Sequence, residues 1–316
     1  MILIGVDVGG TKTTALAVDL QGRVLARAHA GAGNWEGIGL AAAAQLYATI
    51  ISDLLSHANA HPDEVGAVAW GLAGLDWPSD EARLRPLLAP LTPRATLITV
   101  NDAFLPLRAG SHDPFGVGVI AGTGSTVAGM AVDGRRYRTF GLGSDWADFA
   151  GAQSLTIAAM SMAAEAHYGR RAPTLLTALL CDWGGVPDIP TLAEGLSRGT
   201  IARDPATFAP QVTQAAAAGD AAAMKIVETA AQLLADNAGA VARQLDLTGQ
   251  PHTVVIAGGA AAALFVAFTQ ALRHVSPSAT PVLLGCEPVV GAVLLACDAV
   301  QPRAAALVRR ALTNEE

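Results

Sequence analysis

Asp102 follows Asn101 and the apolar run Leu97-Ile98-Thr99-Val100, so it stands where a buried strand ends. Ligands of layered α/β proteins collect at the C-terminal ends of strands, and a carboxylate there can accept the proton of an attacking hydroxyl. The same position suits an aspartate that caps a following helix, expected over residues 103–109. From these residues alone, catalytic base and helix cap both stand open.

Asp7-Val8-Gly9-Gly10-Thr11-Lys12-Thr13 has the composition of a tight turn between two strands. Gly9 and Gly10 keep Cβ atoms away from the backbone, so that successive N–H groups can converge on phosphate oxygens. Thr11, Lys12 and Thr13 add hydroxyl and ammonium contacts, and Asp7 could hold Mg²⁺ or its waters. A plain glycine hairpin is the competing reading. A Walker loop is excluded: Gly5 and Gly10 have its spacing, but Thr11 intervenes before Lys12, and a strand follows where a helix is required. Gly122-Thr123-Gly124-Ser125-Thr126 has the same character. The pair of turns is expected to clamp the β- and γ-phosphates of a nucleotide, although two structural hairpins would read alike.

Val254-Val255-Ile256-Ala257-Gly258-Gly259-Ala260 reads as strand, double glycine and helix. Gly258 and Gly259 would let an adenine or ribose lie against bare backbone, or would merely permit close packing. Gly195-Leu196-Ser197-Arg198-Gly199 matches a hydrolase nucleophile motif, but it ends a helical stretch and not a strand, so Gly199 is expected to be a helix cap.

Residues 2–7, 13–19 and 23–29 read as a three-stranded meander. The pattern returns at 116–121, 126–133 and 135–140, with a constant offset of 114 residues relating Asp7 to Ala121, Thr11 to Ser125 and Asp19 to Asp133. After the first meander come an expected helix over 37–60, a strand over 65–70, a helix over 80–91 and a strand over 96–100. After the second, helices dominate 149–247, followed by a strand over 253–257, a helix over 260–275, a strand over 282–285 and a terminal helix. Two related α/β halves with mixed sheets follow, 1–115 and 116–316, expected to meet at a central cleft, with the last helix free to pack back on the first half.

The chain of 316 residues is long enough for two domains, and 52% hydrophobic against 15% charged residues describes a well-buried globule. A net charge of −7 disfavours a nucleic-acid surface, which needs clustered cations. The longest apolar stretch, residues 254–268, falls short of the ~18 residues that span a membrane. The first residues enter a strand without a leader pattern, so a cytoplasmic protein is expected. Cys181, Cys286 and Cys297 are scattered, and the seven histidines show no zinc spacing, so buried thiols and no zinc are expected.

Assembled, these motifs resemble the N-acetylglucosamine kinase branch of the BadF/BadG/BcrA/BcrD ATPase family, within the acetate-kinase, hexokinase, heat-shock ATPase and actin superfamily. Residues 7–13 resemble its first phosphate motif, 122–125 its second and 257–259 its adenosine motif, while Glu287-Pro288-Val289-Val290-Gly291-Ala292 resembles its C-terminal signature. The resemblance implies two duplicated actin-like (ribonuclease H-like) domains, with the sugar and the catalytic aspartate on the first and the nucleotide on the second. It implies an ATP- and Mg²⁺-dependent kinase acting on N-acetylglucosamine, glucosamine or a related hexose, with the 6-hydroxyl as the expected acceptor and room for a homodimer.

Asp102 corresponds to the catalytic aspartate of that family, and Gly33-Asn34-Trp35 to the segment whose asparagine contacts the sugar. Asn101, Thr123, Gly124 and Asp145 complete the expected sugar set. Two stretches depart from the family: Gly143-Ser144-Asp145-Trp146-Ala147-Asp148 replaces Gly-Asp-Glu-Gly-Ser, leaving Asp145 as the matched residue, and Ala73 replaces a serine in Gly71-Leu72-Ala73-Gly74. Two other functions use such a fold: an ATPase that activates a dehydratase through a cysteine-held iron–sulfur cluster, and a non-catalytic sugar or nucleotide sensor. The few scattered cysteines argue against the first, and Asp102 together with the lack of a preceding DNA-binding segment argues against the second.

Overall fold

Strand β1 (Ile2–Val8) is apolar on both faces, and every side chain from Ile2 to Val6 is buried, as in strands whose sheet is covered on both sides. β2 (Thr13–Asp19) returns antiparallel, setting Val8 opposite Thr13 and Asp7 opposite Thr14. β3 (Val24–Ala30) pairs antiparallel with β2 and forms the sheet edge. These and the following elements belong to a computed structural model that describes residues 1–313, Ser144 by its backbone alone.

The helix expected over 37–60 is two helices, α1 (Trp35–Ile38) and α2 (Leu40–His57). Gly39 separates them at φ 84°, a conformation open to glycine that ends one helix and starts the next. On α2 the buried residues Ala43, Tyr47, Ile50, Ile51 and Leu54 recur at intervals of three and four, giving one apolar stripe. Tyr47 meets Trp70 at a ring-centroid distance of 5.3 Å.

β4 (Val65–Leu72) and β5 (Thr96–Asn101) extend the sheet in parallel beyond β1, joined by α3 (Pro78–Leu88). The sheet order is β3-β2-β1-β4-β5. A single 3₁₀ turn, Asp102–Phe104, then leads into α4 (Leu105–Gly110).

β6 (Gly116–Ala121), β7 (Ser125–Met130) and β8 (Arg136–Arg138) repeat the meander. Five helices follow: α5 (Ala152–His167), α6 (Leu175–Gly184), α7 (Ile189–Ser197), α8 (Ala209–Ala217) and α9 (Ala221–Gln244). β9 (His252–Ala257), α10 (Ala261–Val275) and β10 (Ala279–Leu283) complete this part, with β9 and β10 parallel. The second sheet runs β8-β7-β6-β9-β10, the order of the first sheet again. The repeat seen as a sequence offset is therefore a repeat of topology.

Two details depart from the sequence expectation or refine it. β10 starts at Ala279, earlier than 282, because Ala279 and Thr280 pair with His252 and Thr253 although no residue of the strand is fully buried. The Gly-x-Ser-x-Gly match closes α7 as expected: Gly199 has φ 70°, and Thr200 N donates to the Gly195 carbonyl at 2.9 Å.

From Leu284 the chain contributes α11 (Val289–Val300) and α12 (Ala305–Thr313). Two compact units result, one of Met1–Gly118 with Gly129–Gly134 and the chain from Leu284, the other of Val119–Ala128 with Arg135–Leu283. In the first, α11 runs so close to β1 that a Cβ on Gly5 would lie 2.4 Å from Val293 N. Arg108 of α4 forks onto Asp298 of α11, with Nε 2.6 Å from Oδ2 and Nη2 3.0 Å from Oδ1. Arg309 of α12 donates to the Ser111 carbonyl at 2.6 Å.

Among the described residues no helix is long and apolar enough to cross a membrane. All three cysteines are free thiols; Cys181 and Cys297 are buried, while Cys286 is only partly so.

Candidate active site

In the first unit the ends of β1, β4 and β5 carry the candidate residues, and short loops tie them together. Asp7 is half-buried at the end of β1. Beyond it the chain reverses through Gly9, Gly10, Thr11 and Lys12, closed by Gly9 N donating to the Lys12 carbonyl at 2.9 Å. Gly10, Thr11 and Lys12 are exposed. Thr13, by contrast, is fully buried, and its hydroxyl donates to the Gly31 carbonyl at 3.0 Å. Its hydroxyl proton thus serves the scaffold, and Thr11 is the exposed hydroxyl of the turn.

The segment around Asn34 is fastened to that turn. Gly33 N donates to the Gly9 carbonyl at 3.1 Å, and the Tyr47 hydroxyl donates to the Gly33 carbonyl at 2.8 Å. Position 33 admits no side chain, since a Cβ would lie 2.5 Å from Thr13 Oγ1 and 2.6 Å from Val8 Cγ1. Asn34 caps α1, its Oδ1 accepting from Glu36 N at 3.0 Å. Trp35 Nε1 donates to the Gly74 carbonyl at 2.7 Å, and the Arg83 guanidinium lies 5.5 Å from the Trp35 ring centre.

Sequence left open whether Asp102 caps the turn that follows β5. The cap of the turn at Asp102–Phe104 is Asn101, whose Oδ1 accepts from Ala103 N at 3.0 Å. The capping role open to Asp102 from sequence is corrected accordingly: Asp102 is the first residue inside the turn, half-buried at the end of β5. Asn101 Nδ2 donates to Asp76 Oδ1 at 3.0 Å and to the Leu75 carbonyl at 3.3 Å. Sequence reasoning passed over Asp76; the signal was available in a polar residue closing the glycine loop after buried β4.

Electrostatics single out Asp7. Burial pushes its carboxyl up to about 6; the Lys12 ammonium opposes this and the Glu287 carboxylate adds to it. Glu287, in the C-terminal signature, is itself ion-paired with Arg27.

In the second unit the Gly122–Ser125 turn and the Gly258-Gly259 turn meet at the end of β6. Gly122 N donates to the Gly124 carbonyl at 3.0 Å, and the start of α5 is stitched to the turn by Ala152 N on the Gly122 carbonyl at 2.8 Å and Gln153 N on the Thr123 carbonyl at 3.2 Å. Ala260 N donates to the Ala121 carbonyl at 3.0 Å. Gly258 has φ 111°, and a Cβ there would lie 2.4 Å from Ala121 O, so this junction requires glycine. Thr123, Gly124, Gly258 and Gly259 are exposed. Ser125 is buried, its Oγ accepting from Ala150 N at 3.3 Å.

Asp145 lies exposed in a single 3₁₀ turn, Ser144–Trp146, of the same unit. Trp146 of that turn meets Phe140 edge to face at 5.5 Å. Asp148 Oδ2 accepts from Leu142 N at 2.9 Å and anchors the loop. Burial holds the Asp148 carboxyl above the usual range against hydrogen bonds from Leu142, Gly141 and Thr139 and the nearby charge of Arg138.

Two α/β units of one topology, each with a bare glycine turn after its first meander strand, define an actin-like ATPase fold. The chain belongs to the BadF/BadG/BcrA/BcrD ATPase family, whose model matches residues 4–296. It is 26% identical over 303 residues, 94% of this chain and 99% of the relative, to an N-acetylmuramic acid/N-acetylglucosamine kinase of Clostridium acetobutylicum. A solved structure from Chromobacterium violaceum, assigned as an N-acetylglucosamine kinase, superposes with TM-score 0.70 at 26% identity, covering 93% of this chain and 98% of that one. A ROK family glucokinase from Streptomyces griseus, solved with glucose and AMPPNP, shares the fold at TM-score 0.62 and 17% identity, covering 96% and 100% of the two chains.

Proposed function

We propose that this protein is an ATP-dependent sugar kinase that transfers the γ-phosphate to a hydroxyl, the 6-hydroxyl, of N-acetylglucosamine or a close amino-sugar relative. The observation that carries the reading is the arrangement of Asn101 and Asp102 at the end of β5. Asn101 takes the cap, and Asp102 stands beside it in the unit that also carries the Asn34 segment. Kinship with the clostridial amino-sugar kinase supports the substrate class.

In this reading the sugar residues are Asn34, Trp35 and Asn101 in the first unit and Thr123, Gly124 and Asp145 in the second, and Asp102 accepts the proton of the attacking hydroxyl. Such general-base action is worth roughly 10²–10⁴-fold. ATP phosphates are taken by the backbone N–H groups of residues 9–12 with Lys12 and by those of Gly122, Thr123 and Gly124, while Gly258 and Gly259 leave room for adenosine. Thr13 and Ser125 support the two turns from within. Positioning carries most of the catalysis, because phosphoryl transfer asks little covalent chemistry of the protein.

Asp7 is the residue fit to hold Mg²⁺ or its waters. It is a partly buried carboxylate at the phosphate turn, with a second carboxylate, Glu287, near enough to raise its pKa, and Mg²⁺ commonly binds through one or two carboxylates plus substrate phosphates. The ion supplies charge neutralisation to the phosphates when bound.

The test is ADP release from MgATP across N-acetylglucosamine, glucosamine, N-acetylmuramic acid, glucose and a sugar-free control. An amino sugar is expected to raise the rate at least tenfold over the control, that is, by about 1.4 kcal/mol of barrier. Equal rates with and without every sugar would contradict the reading.

A further inference from the structure

The loop after β4 carries a carboxylate to which the chemistry above gives no part. Asp76 is half-buried, and its Oδ1 accepts from Asn101 Nδ2 at 3.0 Å. Asn101 is not free to turn away, since its own Oδ1 is held by Ala103 N at 3.0 Å. The residue immediately before Asp102 therefore orients Asp76. On the backbone side, Asp76 N donates to Oδ2 of the buried Asp80 at 3.1 Å, and Trp77 N donates to the same oxygen at 2.8 Å.

The same loop abuts the Asn34 segment. Gly74 accepts from Trp35 Nε1 at 2.7 Å, has φ 81°, and sits so close to Asn34 that a Cβ would lie 2.4 Å from Asn34 Oδ1. Asp76 thus lies between two sequence segments assigned to the sugar and is fixed from both sides. An ionised carboxylate offers about four acceptor positions. A fixed, partly desolvated anionic acceptor of this kind recognises hydroxyl donors and rejects ligands that lack them.

We propose that Asp76 is a specificity-determining residue that accepts a hydrogen bond from a ring hydroxyl of the acceptor sugar other than the hydroxyl that is phosphorylated. The inference rests on the sugar-kinase reading and adds to it a residue and a role.

The experiment measures kcat and KM for N-acetylglucosamine and for its 3-deoxy and 4-deoxy analogues, with wild type, Asp76→Ala and Asp76→Asn. Asp76→Asn retains an oxygen that Asn101 can reach, so it carries the comparison if Asp76→Ala does not fold. Each variant is expected to raise KM for N-acetylglucosamine, Asp76→Ala by on the order of 10–100-fold, with little change in kcat. One deoxy analogue should suffer the same loss with wild type, and substitution of Asp76 should then add nothing on that analogue. An equal loss on all three sugars would mean that Asp76 only props Asn101, and would overturn the proposal; so would unchanged kinetics. A wild type that turns over none of the three would overturn the sugar-kinase reading itself, whereas an active wild type without this coupling overturns only the role of Asp76.

Discussion

Gly33 illustrates how much of the site is decided by single atoms. Its missing Cβ lets Thr13, Val8 and the Asn34 segment come together, so Gly33→Ala forces either the turn or the segment outward. That substitution is expected to cost about 1–3 kcal/mol in stability, the usual range for overpacking, and to raise KM for the sugar; thermal melting and steady-state kinetics check both. At this scale the glycine turns were legible because unusual residues sat at strand ends. The identity of the cap was not, since Asn101 and Asp102 are both good cap residues and only the bond from Ala103 N decides between them. Asp76 escaped notice for a related reason: its significance lies in a partner 25 positions away, which no local pattern encodes.

Helix ends give a test at the level of elements. Asp220 caps α9, its carboxylate accepting from Ala223 N at 2.9 Å, from Leu175 N at 2.8 Å and from the Thr174 hydroxyl at 2.8 Å. Partial burial works to raise its pKa, but those hydrogen bonds outweigh it and hold the carboxyl below its usual value. A depressed carboxyl contributes its stabilisation above the unfolded-state pKa, ordinarily about 3.9, and loses it as pH falls through the folded value. Asp220→Ala is therefore expected to cost about 1–2 kcal/mol near neutral pH, with the gap to wild type closing below about pH 4; urea unfolding at pH 7 and pH 3 measures it. Strands and long helices were readable from periodicity, since β1 and α2 bury what their spacing says they should. Breaks and edges were less so: Gly39 splits a continuous helical pattern, and β10 extends over residues that its partner β9, and not burial, recruits into a strand.

For the whole molecule, the duplication was the most legible feature, because a constant offset of 114 residues reappears as one sheet order used twice. What hydropathy could not supply are the partners of α11, an apolar helix whose close approach to β1 depends on Gly5 and whose close approach to α4 depends on Gly291, two glycines at opposite ends of the chain. Arg108 and Asp298 lock α11 to α4, the arginine side chain only 6% exposed. Asp298→Ala leaves a buried guanidinium without its carboxylate and is expected to cost about 3–5 kcal/mol; the double substitution Arg108→Met with Asp298→Leu should recover most of it, a difference that denaturant unfolding of the three proteins reads directly. The central claim, a kinase whose base is Asp102, is tested most directly by Asp102→Asn, measuring formation of N-acetylglucosamine phosphate beside calorimetric binding of ATP. The account expects product formation to fall by at least 10²-fold while the nucleotide still binds as it does to wild type; phosphorylation at the wild-type rate would contradict it.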